Sequence, residues 1–329
     1  MAKKKASKKV AKRGTRVAAQ VTDGMKDPLI FIDTNVLLDF YRARNDLGLA
    51  MLQKIDVARG KIITTYQVEM EFKKNRQAAF GESLSGLKID GTIVSPAYLV
   101  NHRSVRAARK DIESAKNRIQ NAISSHKSAF ENPTSHDKVY QVCQRLFRRE
   151  EPIILSRDSE DRKRIRRLAW KRFVLGYPPK KKNDTSIGDA INWEWLVQVA
   201  TSRSCDIIIV SRDSDYGFMF DKEAYINDWL FQEFRDRVGK KRKVKLTQRL
   251  ADALRGIDQP VSEEESDAEQ EIISTSLLKR SVPDAMLGGS GIESARNRDL
   301  TDEYLRLVKK LSQVFEGKRG GEENPIDGI

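Results

Sequence analysis

Short apolar runs in this chain repeatedly end in carboxylates. Asp33 closes LIFI (29–32), and Glu69 and Glu71 come within a turn or two of KIIT (61–64). Asp189 sits in SIGDAINWEWL (186–196), and Asp213 and Asp215 follow DIIIV (206–210). Runs this short and apolar throughout read as buried strands of a parallel sheet. A carboxylate just past the carboxyl end of such a strand lies in the crevice where open α/β sheets bind ligands. Several carboxylates at one edge repel each other unless a hard cation sits between them. Oxygen-only ligation suits Mg²⁺ or Mn²⁺. Such ions assist both the attacking and the leaving oxygen when a phosphodiester is cut. The pattern therefore predicts a metal-dependent nuclease.

The elements between the runs support an α/β reading. Asp33-Thr34-Asn35 is a helix-entry signal before VLLDFY (36–41), and a second helix is expected over 45–59, ended by Gly60. Strand 61–64 feeds a helix over 66–79 with Thr64 or Thr65 as N-cap. Val105, Ile112, Ile119 and His126 fall seven apart, with Ala108, Ala115, Ala122 and Ala129 at the complementary position. That seam predicts a helix of ~45 Å at 1.5 Å per residue. It would pack on a helix at 136–149 through Val139, Val142 and Leu146, as a projecting hairpin. Further helices are expected over 159–175, 187–200 (Ser186 as cap) and 224–238, with a last strand and helix in 243–257. The alternation argues for a parallel sheet flanked by helices, with a helical, coiled-coil-like insertion at about 80–175.

Composition sets the class of partner. The 329 residues carry a net charge of +14, which favours a polyanion, nucleic acid above all. Residues 1–26 hold +8 of this and lack large apolar side chains, so they read as a disordered basic tail. Residues 259–329 read as an acidic run (262–271), a GGSG linker (288–291) and an amphipathic helix around Leu300, Tyr304, Leu307 and Leu311. That helix, or the helical insertion, would serve a protein partner or self-association. Cys143 and Cys205 have no metal or redox spacing and fit packing thiols in a reducing cytoplasm. No apolar run approaches a membrane span.

FIDTNVLLDF (31–40), EFKKNR (71–76), GDAINWE (188–194) and SRDSDY (211–216), in this order, resemble the PIN-domain nucleases. The likeness is greatest to a PIN-like group reading EFxxNR and GDAxxWE, and it covers about 27–258. It implies a doubly wound parallel sheet and hydrolysis of phosphodiesters, usually in RNA, with Mg²⁺ or Mn²⁺. Carried onto this chain, it makes Asp33, Glu71, Asp189 and Asp213 the catalytic ligands. Asp215 is a fifth acid or a replacement for Asp213, and Glu69 is the alternative to Glu71. Thr34 or Asn35 would orient Asp33.

Phosphate contacts are expected from the basic segment 145–182, which nets +9 and ends seven residues before Asp189. Arg172, Lys180, Lys181 and Lys182 are its candidates, joined by Arg76 and Arg212 from the acidic motifs. Of the aromatic residues near the site, Trp193 or Trp195 should be core. His102, His126 and His136 have no zinc spacing and read as structural or exposed. The resulting expectation is an endoribonuclease for single strands, serving RNA processing or acting as a toxin or phage-defence effector. The alternatives are a nucleic-acid-binding module with a degenerate site and a DNA-directed nuclease. A haloacid-dehalogenase phosphatase is disfavoured, because the position two after Asp33 is Asn35.

Overall fold

The computed structural model describes residues 27–179, 186–221 and 223–281, with no side chains described for 275–281. The basic tail 1–26, Lys180–Lys182, the GGSG stretch and the expected C-terminal helix lie outside the described residues. In chain order, β1 (Leu29–Ile32) leads through Asp33 into α1 (Thr34–Asp39), followed by α2 (Asp46–Val57), β2 (Ile62–Thr65) and α3 (Tyr66–Ser85). Next come α4 (Arg103–Ser125), two single turns α5 (Ser128–Glu131) and α6 (Pro133–His136), α7 (Lys138–Phe147) and β3 (Ile154–Leu155). α8 (Asp161–Val174) and α9 (Gly188–Arg203) precede β4 (Ile207–Val210) and the strands β5 (Gly217–Phe220) and β6 (Glu223–Ile226). α10 (Asp228–Val238), β7 (Val244–Thr247), α11 (Leu250–Arg255) and α12 (Glu263–Ser281) complete the described chain.

Five strands form one parallel sheet in the order β3-β2-β1-β4-β7. β1 is central, with Ile30 opposite Ile62 on one side and Ile208 on the other. The chain builds outward from β1 to β3, then returns to start β4 on the other side of β1. The switch point of the topology therefore falls between β1 and β4, where ligands bind in open α/β sheets. All four residues of β2 and of β4 are buried, so helices cover both faces of the sheet. α2 packs with α7, α11 and α12, while α9 packs with α3, α8 and α10. Trp193 and Trp195 on α9 are both core, each donating its indole N–H, to Glu233 and to the Ile153 carbonyl. Cys143 and Cys205 are buried free thiols, and the three histidines are exposed.

The structure departs from the sequence reading in four places. α4 forms, but none of its residues is fully buried, and α7 packs its apolar face on α2 and β2 instead of joining α4 in a hairpin. Val105, Ala108, Ile112, Ala115 and Ile119 are half-buried, and Arg109 donates to the Ile93 carbonyl at 3.3 Å and to Ser95 Oγ at 2.7 Å. The expected insertion is not a separate block, since β3 and α8 within it belong to the sheet and its helical cover. The loop expected after β4 contains the antiparallel pair β5–β6. The acidic run 262–271 is helical: α12 buries Ala268, Ile272 and Ile273 and packs on α2 and α11.

Candidate active site

Parallel pairing continues one residue beyond β1, with Asp33 N donating to the Val210 carbonyl at 2.9 Å. This fixes the Asp33 side chain over the switch point. Asp33 also caps α1, its Oδ1 accepting from Thr34 N at 2.7 Å. Its Oδ2 accepts from Asn35 Nδ2 at 3.0 Å and from Ser211 Oγ at 2.6 Å. Asn35 Oδ1 in turn accepts from Arg212 N at 3.3 Å, and Ser211 Oγ accepts from Asp213 N at 3.2 Å. The loops after β1 and β4 are thus bound together through one carboxylate.

Glu71 reaches the same place from α3. Thr65 caps that helix, accepting from Val68 N at 3.2 Å, so the helix starts at the end of β2. Glu71 Oε2 accepts from Thr34 Oγ1 at 3.1 Å and Oε1 from Gln67 Nε2 at 2.6 Å. Glu69 points elsewhere and pairs with Lys73 at 2.5 Å on the helix surface. Asp189 arrives on the first turn of α9. A Cβ on Gly188 would lie 2.6 Å from Gln67 Nε2 and 2.7 Å from Glu71 Oε1. Glycine therefore lets α9 start this close to Glu71 without displacing the ends of those two side chains. Ser186 Oγ accepts from Gly188 N at 3.1 Å and helps set that start.

Burial raises Asp33 from the ordinary 3.8 to about 7, with Asp213 and Glu71 adding repulsion and the Ser211 and Thr34 bonds opposing it. The fully buried Tyr216 hydroxyl is pushed well above its usual range by burial, then by Asp189, Asp33 and Glu71. Asp213 and Glu71 are therefore close enough to act on Asp33, and Asp189 acts with Asp33 and Glu71 on Tyr216. Asp215, two residues after Asp213, is buried. Among the described residues, the donors to Asp33 and Glu71 are all neutral. A carboxylate set whose two central members have no cation bonded to them among the described residues has the chemistry to receive a hard divalent ion. Among the described residues, no three acidic, histidine or cysteine side chains are close enough to grip one ion as they stand.

The family model of the PIN domain matches residues 30–216. The chain belongs to the PIN-domain family. No curated protein and no solved structure matches it. PIN domains are typically nucleases that act on nucleic acid and generally use divalent metals. Among the described residues of this PIN domain, no helix is long and apolar enough to cross a membrane.

The expected phosphate contacts need correction. Arg76 is buried against Asp137 at 2.8 Å and also donates to the Ala129 carbonyl. Arg172 is buried between Glu194, at 3.0 Å, and Glu233. Arg212 is buried between Asp39 and Glu269, the latter at 3.0 Å. Each guanidinium is held by internal carboxylates and is not presented to a strand. Arg212 instead anchors the loop bearing Asp213 to α1 and α12. Glu269 also accepts from Leu250 N and Ala251 N at the start of α11.

Ser211, Gln67, Asn192 and Tyr216 had no role in the sequence reading. Ser211 opens the SRDSDY motif, and Gln67 stands four residues before Glu71, the spacing at which helix side chains meet. Those two were open to inference; the approach of Asn192 to Thr65, at 2.6 Å, was not. Beyond Asp213 a cleft of about 370 Å³ opens, lined in part by Ser214, Phe218, Met219 and Leu246. Phe218 and Phe220 on β5 are exposed on one face, with exposed Tyr225 opposite Phe218.

Proposed function

We propose that this PIN domain is an Mg²⁺- or Mn²⁺-dependent endoribonuclease acting on single strands. The observation that supports the reading is Asp33 buried at the switch point, with Glu71 bonded to the adjacent Thr34 and with Asp213 N and Asp33 both bonded to Ser211, in a chain of the PIN-domain family. Those four residues would hold the metal, with Asp215 beside Asp213 as a fifth acid. When bound, the cation supplies Lewis-acid stabilisation of the phosphate oxygens during in-line displacement.

The chain's own residues do the positioning. Thr34 N, Asn35 and Ser211 fix both oxygens of Asp33, and Thr34 and Gln67 fix those of Glu71. Partners of this kind orient ligand carboxylates and tune their affinity. Without a cation, Asp33 holds a proton on its carboxyl up to near-neutral pH, and that proton must leave before the carboxylate can bind a metal. The exposed aromatic face of Phe218, Phe220 and Tyr225 beside the cleft suits unpaired bases, which stack where duplex bases cannot.

RNA is preferred to DNA on the habit of the family alone, and a role as a toxin or phage-defence effector is one use of such chemistry. The test is cleavage of labelled single-stranded RNA, single-stranded DNA and duplexes in Mg²⁺, Mn²⁺ or EDTA. Cutting of RNA single strands with either metal and none in EDTA is expected. Equal cutting in EDTA would refute the metal, and cutting of DNA alone would refute the substrate.

A further inference from the structure

The buried arginines leave open how the protein holds a strand. A cleft of about 300 Å³ on the β2 side of the acids offers an answer. Its walls include Tyr66 and Gln67 at the start of α3, Arg157 after β3, and Arg162 and Arg166 on α8. Met70, Ile187 and Ile191 supply its apolar part. Gln67 belongs both to this cleft and to the acid cluster, through its 2.6 Å bond to Glu71. Ile187 immediately precedes Gly188 and Asp189. The cleft and the carboxylates therefore share a wall.

The arginines here differ from the buried ones that the acidic motifs suggested. Arg42, Arg76, Arg145, Arg172, Arg212 and Arg237 each pair with a carboxylate. On α8 itself, Arg164 is bound to Asp161 at 2.7 Å. Arg157, Arg162 and Arg166 have no carboxylate partner among the described residues. Arg162 is nonetheless held in place: its guanidinium lies 5.1 Å from the Tyr66 ring centroid and donates to the Arg157 carbonyl at 2.9 Å. A fixed guanidinium with two more beside it is a site for an oxyanion with several acceptors. The aromatic and apolar walls add a surface for a flat ring.

We propose that this cleft binds one nucleotide of the substrate strand next to the phosphodiester being cut. Arg157, Arg162 and Arg166 hold its phosphate, and Tyr66, Met70 and Ile187 flank its base. The identity of the ligand as a nucleic-acid strand rests on the nuclease reading above; the anion site rests on the arginines. The strand then reaches the acids over Gln67.

The experiment measures binding of a labelled single-stranded RNA to the full chain in EDTA, over a range of KCl concentrations. Wild type is compared with Arg157→Gln/Arg162→Gln/Arg166→Gln and with the same three positions changed to Lys. If all three contact phosphate, the Gln variant should flatten the slope of log K against log salt by about 2, at ~0.7 per contact for a single strand. The Lys variant should keep most of the slope while binding more weakly, because it keeps charge but loses the planar fork. In cleavage, Arg166→Gln should raise KM with kcat little changed, since positioning of the strand is what it loses. Arg166 is exposed, so its single variant carries the test, with a slope change of ~0.7, if the triple variant melts early. An unchanged slope in a variant that melts like wild type would overturn the proposal. Absence of cleavage by wild type with either metal would instead overturn the nuclease reading, and the binding slopes would still judge the cleft.

Discussion

Replacing Asp33 by asparagine should stabilise the metal-free protein increasingly as pH rises. Unfolded, this carboxyl loses its proton near 3.8; folded, near 7, chiefly because it is fully buried and then because Asp213 and Glu71 repel its charge. Between those values the folded chain holds a proton that the unfolded chain has lost. Wild-type stability without metal therefore falls as pH climbs through that window and levels above 7. At about 1.36 kcal/mol for each pH unit, the charged carboxylate costs the fold roughly 4 kcal/mol at most. The amide of the Asp33→Asn variant cannot ionise and escapes the descent. It introduces a separate penalty of ~1–3 kcal/mol, because an amide cannot accept from Thr34 N, Asn35 Nδ2 and Ser211 Oγ as a carboxylate does. That penalty is nearly independent of pH, so the informative quantity is the change in the difference between the two proteins. Urea unfolding in EDTA, run from acid pH near the unfolded value to above neutrality, measures it. Asp33→Asn should gain on wild type by several kcal/mol across the range, and added Mn²⁺ should restore the wild type more than the variant. A difference that stays constant with pH would refute the raised Asp33 and with it the crowding argument.

Glu71→Gln should abolish most cleavage, whereas Glu69→Gln should leave the rate unchanged and alter stability by no more than ~0.5 kcal/mol, since it removes only a surface pair. Rates with Mn²⁺ and thermal melts of both variants check this. Gly188→Ala should keep the fold but lower kcat, because its Cβ displaces the ends of Gln67 and Glu71; unchanged turnover would show that Glu71 tolerates the shift. Arg212→Ala should cost about 3–5 kcal/mol in chemical denaturation by leaving buried Asp39 and Glu269 without this cation. Combining it with Glu269→Gln should cost less than the sum of the two single changes.

Strands β1, β2 and β4 were legible because each holds a short apolar run, and β7 because Val244 and Leu246 alternate with the exposed Lys245. β3 was not, since Ile154–Leu155 is too short to carry any period. β5 eluded reading for a different reason. Its half-buried and exposed positions alternate, but the exposed ones are Phe218 and Phe220, so the sequence shows no apolar–polar alternation. α12 was hidden by the opposite substitution. Part of its buried side is Glu265, Ser266 and Glu269, so its inward face reads as solvent-exposed charge. In β5 and α12 the polarity of a residue and its burial part company, for aromatics left outside and for carboxylates drawn inside by arginine or backbone N–H groups.

The acids and the arginines of the site show the same division. Asp33 and Asp213 lie within three residues of the strands that position them, so local order in the sequence nearly determines where they are. Even there, Glu71 is separated from Glu69 only by the direction each takes from α3, one toward Thr34 and the other toward Lys73. An arginine's role depends on where a carboxylate lies in space. Arg76 finds Asp137 at a separation of 61 residues, Arg172 finds Glu194 at 22, and Arg212 finds Glu269 at 57. Nothing near those arginines in sequence announces the partner. A positive total therefore predicts a polyanion as ligand without saying which cations meet it. Once internal pairs are removed, Arg157, Arg162 and Arg166 remain against the acid cluster, and the surplus charge acquires a place from which it can act.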